Sequence, residues 1–223
     1  QPVVNFIVRA VDDILKTEFD LPQGLADTSK TKVKVDYYGK KIEKEVHKVQ
    51  ILDPATGSGT FLAEVVTHIY KKFEGQQGIW SKYVANDLIP RLNGFELLMA
   101  SYAMAHLKMD MLLTETGYKP SDDQRFKRDT PVMCVIGNPP YAVSSTNKNE
   151  WIQNLIADYK KDLNERKINL DDDYIKFTRF GQHYIDKNGE GILAYISNNS
   201  FIDGITHRQM RKHLLESFDK IYI

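Results

Sequence analysis

The 223-residue chain has one cysteine, no net charge and no long apolar run. Because Cys134 has no second cysteine to pair with, an internal disulfide is excluded, as is typical of a reducing compartment such as the cytoplasm. Its 30 basic and 30 acidic residues balance, so it lacks the excess positive charge of most free-standing DNA-binding proteins. No stretch of about 18 apolar residues occurs, so we expect no membrane contact through a spanning helix.

Helical and strand-like patterns alternate along the chain. They predict an α/β fold with a mainly parallel sheet and helices on both faces. We expect one domain over residues 1–223, with an N-terminal helix and hairpin in residues 1–48 and the core in residues 49–223. Because the sequence begins with Gln1 and ends on a strand-like run at residues 220–223, we interpret it as a piece of a longer chain. We therefore expect the sheet to be incomplete at its C-terminal edge.

A glycine-rich turn follows the predicted strand at residues 49–52 and leads into a helix. This order presents backbone N–H groups to a ligand at the carboxyl end of the strand. A P-loop would continue with Lys and then Ser or Thr after its last glycine, whereas Thr60 and Phe61 follow here. A dinucleotide fingerprint would need a third glycine where Leu62 stands. Asp53 would repel a pyrophosphate, so the turn favours a ligand with a cationic amino group and no phosphate.

A second motif, Asn-Pro-Pro-Tyr at residues 138–141, follows a predicted buried strand at residues 132–136. Its two prolines stiffen the loop and hold Asn138 in an extended conformation. The Asn138 carboxamide and a backbone carbonyl can accept hydrogen bonds from a planar amino group while Tyr141 stacks on the attached ring. By itself, the tetrapeptide fits an ordinary proline-rich turn equally well.

Together, the two motifs resemble those of the S-adenosylmethionine-dependent DNA adenine-N6 methyltransferases. Residues 53–61 are similar to the cofactor loop of that family, and residues 138–141 to its catalytic loop. Residues 1–8 resemble the end of its N-terminal cofactor motif. Residues 93–97 resemble the strand that ends in a ribose-binding acid, and residues 191–201 the strand and loop beside the target pocket.

The sequences at residues 91–100 and 135–141 look most like those of the large single-chain restriction–modification enzymes. In these, nuclease, methyltransferase and target-recognition parts share one polypeptide. The resemblance implies an open, mostly parallel, Rossmann-like methyltransferase sheet. It also implies that this piece contacts double-stranded DNA mainly through recognition parts elsewhere in the parent chain. We expect the piece alone to be weakly active or inactive.

The resemblance implies transfer of a methyl group from S-adenosylmethionine to N6 of an adenine flipped out of the duplex. The implied cofactor-binding residues are Asp53, Ala55, Thr56, Gly57, Ser58, Gly59, Phe61 and Glu96. The implied catalytic residues are Asn138, Pro139, Pro140 and Tyr141. Only the ring face of Tyr141 is expected to matter, so Tyr141→Phe should be tolerated. Alternatives are an RNA-adenine or protein-glutamine methyltransferase, or a cofactor-binding scaffold without catalysis.

Other polar clusters fit less demanding roles. The six histidines show no ligand spacing, so we expect no metal site. Asp162, Glu165 and Lys167 echo a nuclease site but fall in a charged helix end, which favours a solvated face. The three aspartates at residues 171–173 precede a helical pattern and predict helix capping.

Residues 114–131 are too short and polar for the family's third strand. Possible adenine contacts there are Asp122, Asp123 and Asp129.

Overall fold

A computed structural model describes residues 2–37, 40–119, 133–142, 145–165 and 170–223. The chain divides into two compact units, Gln1–Gly137 and Asn138–Ile223. No helix in these described ranges is long and apolar enough to cross a membrane.

The first unit begins with α1 (Pro2–Glu18), whose apolar residues recur every three or four positions and form a buried stripe. A two-stranded antiparallel hairpin follows, made of β1 (Lys30–Tyr37) and β2 (Lys40–His47), with Lys30 opposite His47. The predicted N-terminal helix and hairpin are therefore confirmed.

Three parallel strands form the sheet of the first unit: β3 (Ile51–Asp53), β4 (Leu92–Gly94) and β5 (Cys134–Gly137). The order is β4-β3-β5, and Ile51 lies opposite both Leu92 and Cys134. The residues of β3 and β5 are buried throughout, as expected for apolar strands in a parallel sheet. The carboxyl end of β3 therefore leads directly into the glycine-rich turn.

Helices follow the strands of this sheet. α2 (Thr60–Lys71) follows the glycine-rich turn, and α3 (Gln77–Tyr83) comes next. The predicted second helix, residues 79–92, is broken: a π-helical turn at Val84–Leu88 and a 3₁₀ turn at Ile89–Arg91 lead into β4. Pro90 lacks the N–H group that a regular helix would need there, so the helical hydrogen bonding cannot continue.

α4 (Met99–Glu115) lies after β4 and packs against α2. Its apolar residues predicted a core helix, but Ala105 is its only buried residue. Met99 is 76% exposed and Leu107 54% exposed. The prediction of core packing was wrong because apolar side chains occur on every face of α4, whereas its contact with α2 covers one face.

Asp12 joins α1 to α2 through a buried cluster of charges. Its carboxylate lies 2.6 Å from Lys16 Nζ, 2.7 Å from Lys72 Nζ and 3.1 Å from His68 Nε2. It also accepts a hydrogen bond of 2.7 Å from the Leu25 amide. Burial alone would raise the pKa of Asp12, but the bonds from His68, Lys16 and Lys72 hold it well below its ordinary value. These contacts fix the helix that follows the glycine-rich turn.

The second unit is mainly helical. Its elements are α5 (Glu150–Lys160), α6 (Asp173–Asn188), β6 (Ile192–Tyr195), α7 (Ser200–Asp203) and α8 (Arg208–Ser217). Its apolar core consists of Ile152, Ile156, Tyr159, Leu163, Leu170, Tyr174, Ile175, Met210 and Leu214. The predicted strand start at residues 220–223 was wrong: these residues are neither strand nor helix. An isolated strand gains no ladder hydrogen bonds.

Candidate active site

The glycine-rich turn of the first unit has two residues in the left-handed region of backbone space. Gly57 has φ of +54° and Gly59 has φ of +78°. A side chain would strain the backbone at either position, which explains the glycines. Gly59 directly precedes the first turn of α2. A Cβ at Gly57 would meet no atom within 4 Å, so there is open space beside the turn.

Asp53 lies at the end of β3 and is 1% exposed. Its Oδ1 accepts a hydrogen bond of 3.1 Å from the Ala55 amide, while the Thr56 hydroxyl donates to the Asp53 backbone carbonyl at 3.0 Å. Burial raises the pKa of Asp53 to about 7, and the negative charge of Glu96 adds to this rise. The first unit thus holds a buried carboxyl group that is costly to ionise without a cation.

Glu96 lies directly against the glycine-rich turn. Its Oε2 accepts a hydrogen bond of 2.7 Å from the Gly57 amide. Its Oε1 accepts one of 2.8 Å from the Leu98 amide. The acid predicted to bind ribose is therefore brought to the turn predicted to bind the cofactor.

Backbone hydrogen bonds join the segments after β3 and β4. The Thr56 amide donates to the Phe95 carbonyl, and the Phe95 amide donates to the Asp53 carbonyl, both at 3.0 Å. Gly94 allows this approach, since a Cβ there would lie 2.6 Å from the Thr56 hydroxyl oxygen. Ser58 is exposed, whereas Phe61 is buried in the first turn of α2.

The Asn-Pro-Pro-Tyr loop opens the second unit. Asn138 is exposed, Pro139 is buried, and the Tyr141 side chain is 48% exposed. The Tyr141 hydroxyl lies 3.0 Å from Asn138 Oδ1 and 3.1 Å from the carbonyl oxygen of Ile196. Its single proton serves these two acceptors in turn. The loop therefore joins a carboxamide to the hydroxyl of a half-exposed aromatic side chain.

Asp172 is a contributor to this loop that the sequence analysis did not identify. It occupies the N-cap of α6, as the three aspartates predicted, but its side chain makes no capping hydrogen bond there. Instead, its Oδ1 accepts a hydrogen bond of 3.0 Å from the Ala142 amide. Burial raises the pKa of Tyr141, and the nearby charge of Asp172 raises it further. No local signal could have revealed this contact, because the two residues are 30 positions apart.

The remaining candidates have ordinary partners. No group of three His, Cys, Asp or Glu side chains in the described ranges could hold a metal ion. Glu165 forms an ion pair with Arg208. Lys167, Asp122, Asp123 and Asp129 lie outside the described residues.

Comparison with known families shows where the chain belongs. A family model described as Eco57I restriction-modification methylase matches residues 96–222, more than half of the chain. The chain belongs to this family. This Eco57I-family chain is 26% identical over 212 residues to the Type II methyltransferase M.BstVI of Geobacillus stearothermophilus. The match covers 85% of the chain and 35% of the relative, so the chain spans about a third of that protein.

Solved structures confirm the fold of this Eco57I-family chain. A nuclease-deletion mutant of the Type ISP restriction–modification enzyme LlaGI, in complex with a DNA substrate mimic, matches with a TM-score of 0.72 and 21% identity. The DNA-bound, ATP-dependent Type ISP enzyme LlaBIII matches with a TM-score of 0.72 and 25% identity. These matches cover 97% and 96% of the chain but 19% and 16% of the larger proteins. The expected fold class and the resemblance to large restriction–modification enzymes are confirmed.

Proposed function

We propose that this chain transfers the methyl group of S-adenosylmethionine to the N6 amine of an adenine flipped out of double-stranded DNA. The observation that carries this proposal is the loop at residues 138–141. There, the Asn138 carboxamide and the half-exposed Tyr141 ring are joined by a hydrogen bond. Membership of the Eco57I methylase family supports methyl transfer, and the loop supplies the chemistry for a planar amine.

The turn of the first unit fits the proposed cofactor. Asp53 is a buried carboxyl group that a cationic amino group would stabilise in its ionised form. Glu96 has two oxygens, each of which accepts one amide hydrogen and keeps a lone pair for a ribose hydroxyl. The open space beside Gly57 allows a ligand to approach the backbone. Nearby contacts would come from Ala55, Thr56, Ser58, Gly59 and Phe61.

The bound cofactor would supply a methyl group already activated by a positive sulfonium centre. Asn138 Oδ1 and the Pro139 carbonyl would accept the two hydrogens of the target amine. These bonds draw the nitrogen lone pair out of conjugation with the ring and hold it ready to form the new bond. The amine would give up one proton to water during or after the transfer, and the cofactor would be left as a neutral thioether. Catalysis is then a matter of orientation and electrostatics, with no strong base required.

Tyr141 would hold the flipped base by stacking. Extrusion of a base from the duplex costs a few kcal/mol, and stacking on an aromatic ring returns about 1–3 kcal/mol per base. Pro140 stiffens the backbone between the ring and the carboxamide. The loop thereby combines the energy for flipping with the groups that orient the amine.

We place this reaction in the cytoplasm, within a larger restriction–modification protein whose other parts supply target recognition and the nuclease. Two similar structures are DNA complexes of much larger enzymes, which supports this arrangement. The zero net charge supports it too, because little phosphate affinity comes from this piece as a whole.

The product identifies the substrate. DNA from cells that express the intact protein should contain N6-methyladenine by mass spectrometry, and DNA from cells with an Asn138→Ala variant should not. Total RNA and protein from the same cells are digested and measured in parallel. Methylated adenine confined to RNA, or methylated glutamine in protein, would replace the DNA assignment, and no methylated product in any fraction would favour a scaffold.

A further inference from the structure

The start of α6 places three buried polar side chains at alternate positions: Asp172, Tyr174 and Lys176. We name this set the α6 clamp. Asp172 is 8% exposed, Tyr174 1% and Lys176 2%. Burial of an acid and a base without partners would be costly. Each of the three instead bonds to residues that lie elsewhere in the sequence of the second unit.

Asp172 and Lys176 hold the segment that continues the Asn-Pro-Pro-Tyr loop. Asp172 accepts the Ala142 amide hydrogen at 3.0 Å, one residue after Tyr141. Lys176 Nζ donates to the Asn147 carbonyl at 2.7 Å. The Asp172 carboxylate sits at an N-cap, where it would ordinarily bond its own helix. It accepts a hydrogen bond from the loop instead.

Tyr174 bonds to the segment that follows β6. Its hydroxyl lies 3.0 Å from the Ser200 hydroxyl and 3.2 Å from His207 Nε2, both in the segment after β6. That segment includes the carbonyl of Ile196, one of the two acceptors of the Tyr141 hydroxyl. The α6 clamp therefore contacts both sequence segments that meet at Tyr141.

We propose that Asp172 is a positioning residue for methyl transfer: it fixes the backbone at Ala142 and so sets the orientation of the Tyr141 ring beside Asn138. This inference rests on the proposed function. The bond is charge-assisted, and its acceptor Asp172 is buried, which strengthens it relative to an exposed bond. Without it, the segment after Tyr141 would lose the anchor closest to the ring. Displacement of a reacting group by about 1 Å can lower a rate about 100-fold.

The test compares substitutions at Asp172 in the intact protein. Asp172→Ala removes the acceptor, and Asp172→Asn keeps a carboxamide oxygen that can accept the Ala142 N–H. Asp173→Ala is the matched control. It removes an acid from the next position, whose side chain makes no hydrogen bond or ion pair with the described residues. Substrate DNA carries the methylated sequence, which is found by modification-sensitive sequencing of the DNA from the product experiment.

We expect Asp172→Ala to lower kcat about 10- to 100-fold with unchanged cofactor affinity. Asp172→Asn should restore most of the rate, and Asp173→Ala should match the parent. A fluorescent adenine analogue at the target position should report weaker flipping in the Ala variant only. If Asp172→Ala does not fold, Asp172→Glu replaces it, because the longer side chain keeps the charge but moves the carboxylate.

Either of two results in the measured rates would overturn the inference. One is an Ala or Glu variant as fast as the parent, and the other is an Asn variant as slow as the Ala variant. Failure of the proposed function looks different: the parent protein itself would form no N6-methyladenine. A loss of cofactor affinity in Asp172→Ala would also count against a role confined to the target loop.

Discussion

The glycine-rich turn of the first unit and the Asn-Pro-Pro-Tyr loop of the second are stabilised in different ways. In the turn, the Ala55 and Gly57 amides donate to the carboxylates of Asp53 and Glu96, and the Thr56 amide donates to the Phe95 carbonyl. The loop is held by side chains from α6, with Asp172 closest to Tyr141. The glycines of the turn are visible in the local sequence, whereas Glu96 and Asp172 bind backbone amides 39 and 30 positions away and leave no local signal of these contacts.

The largest effect should come from Asn138, the proposed acceptor of the target amine. If the two sites have separate tasks, Asn138→Ala should lower the methyl transfer rate about 100- to 1,000-fold, because one positioned hydrogen-bonding group is lost. Cofactor affinity, measured by calorimetry, should stay the same. Asn188→Ala, at the far end of α6, provides the control. A large loss of cofactor affinity in Asn138→Ala would show that the loop also contributes to cofactor binding, so the two sites would not have separate tasks.

Asp53→Asn should show how much free energy of folding is lost when the buried carboxyl group of the turn ionises. The raised pKa means that the Asp53 carboxyl group binds its proton more tightly in the folded protein than in the unfolded chain. Its contribution to the free energy of unfolding is therefore complete below pH 3.8 and is lost as the pH rises to about 7. This shift corresponds to about 4 kcal/mol. At pH 8 without cofactor, Asp53→Asn should therefore raise the free energy of unfolding by on the order of 3 kcal/mol.

Denaturant unfolding at pH 4 and pH 8 measures this difference, and cofactor affinity should fall in the same variant. Asp13→Asn removes an exposed carboxylate from the same unit and serves as the control. A gain in stability that is equal at both pH values would contradict the assigned cause.

Glu96→Ala tests whether the acid beside the turn contributes to cofactor binding. Loss of a charged acceptor for the ribose hydroxyls should weaken cofactor binding about 10- to 100-fold. The rate at saturating cofactor should change little. Calorimetry measures the cofactor affinity of Glu96→Ala, and Glu74→Ala, which removes an exposed acid, serves as the control. Unchanged affinity in Glu96→Ala would remove this residue from the site.

The smallest effect concerns the Tyr141 hydroxyl. The ring face was expected to be all that matters, yet the structure gives the hydroxyl two acceptors. Tyr141→Phe keeps stacking but loses the bond to Asn138, so we expect a rate about three- to tenfold lower. Single-turnover kinetics would show it. A rate equal to the parent would mean that the ring alone suffices and that the hydroxyl contacts with Asn138 and Ile196 do not contribute to the rate.

The sequence predicted those parts of the molecule whose causes are local. Gly57 and Gly59 marked the turn because their backbone conformation excludes side chains. β3 and β5 followed from short apolar runs, whereas β4 was expected only from the family resemblance at residues 93–97. The role of Asp172 could not be predicted, because its local pattern favoured capping and its partner is remote. The exposure of α4 was also beyond prediction, since a helix that is apolar on all faces gives no indication of which face is covered.

The positions of these contacts along the chain have a consequence for synthesis on the ribosome. The described hydrogen-bond partners of residues 53–61 extend no further along the chain than Lys108, whereas the supports of the Asn-Pro-Pro-Tyr loop extend to His207. About 100 further residues must be made, which takes about 5 to 20 s at ordinary rates of translation. A nascent chain thus acquires the turn well before the supports of the loop. Chains released early would have the loop sequence without the α6 clamp.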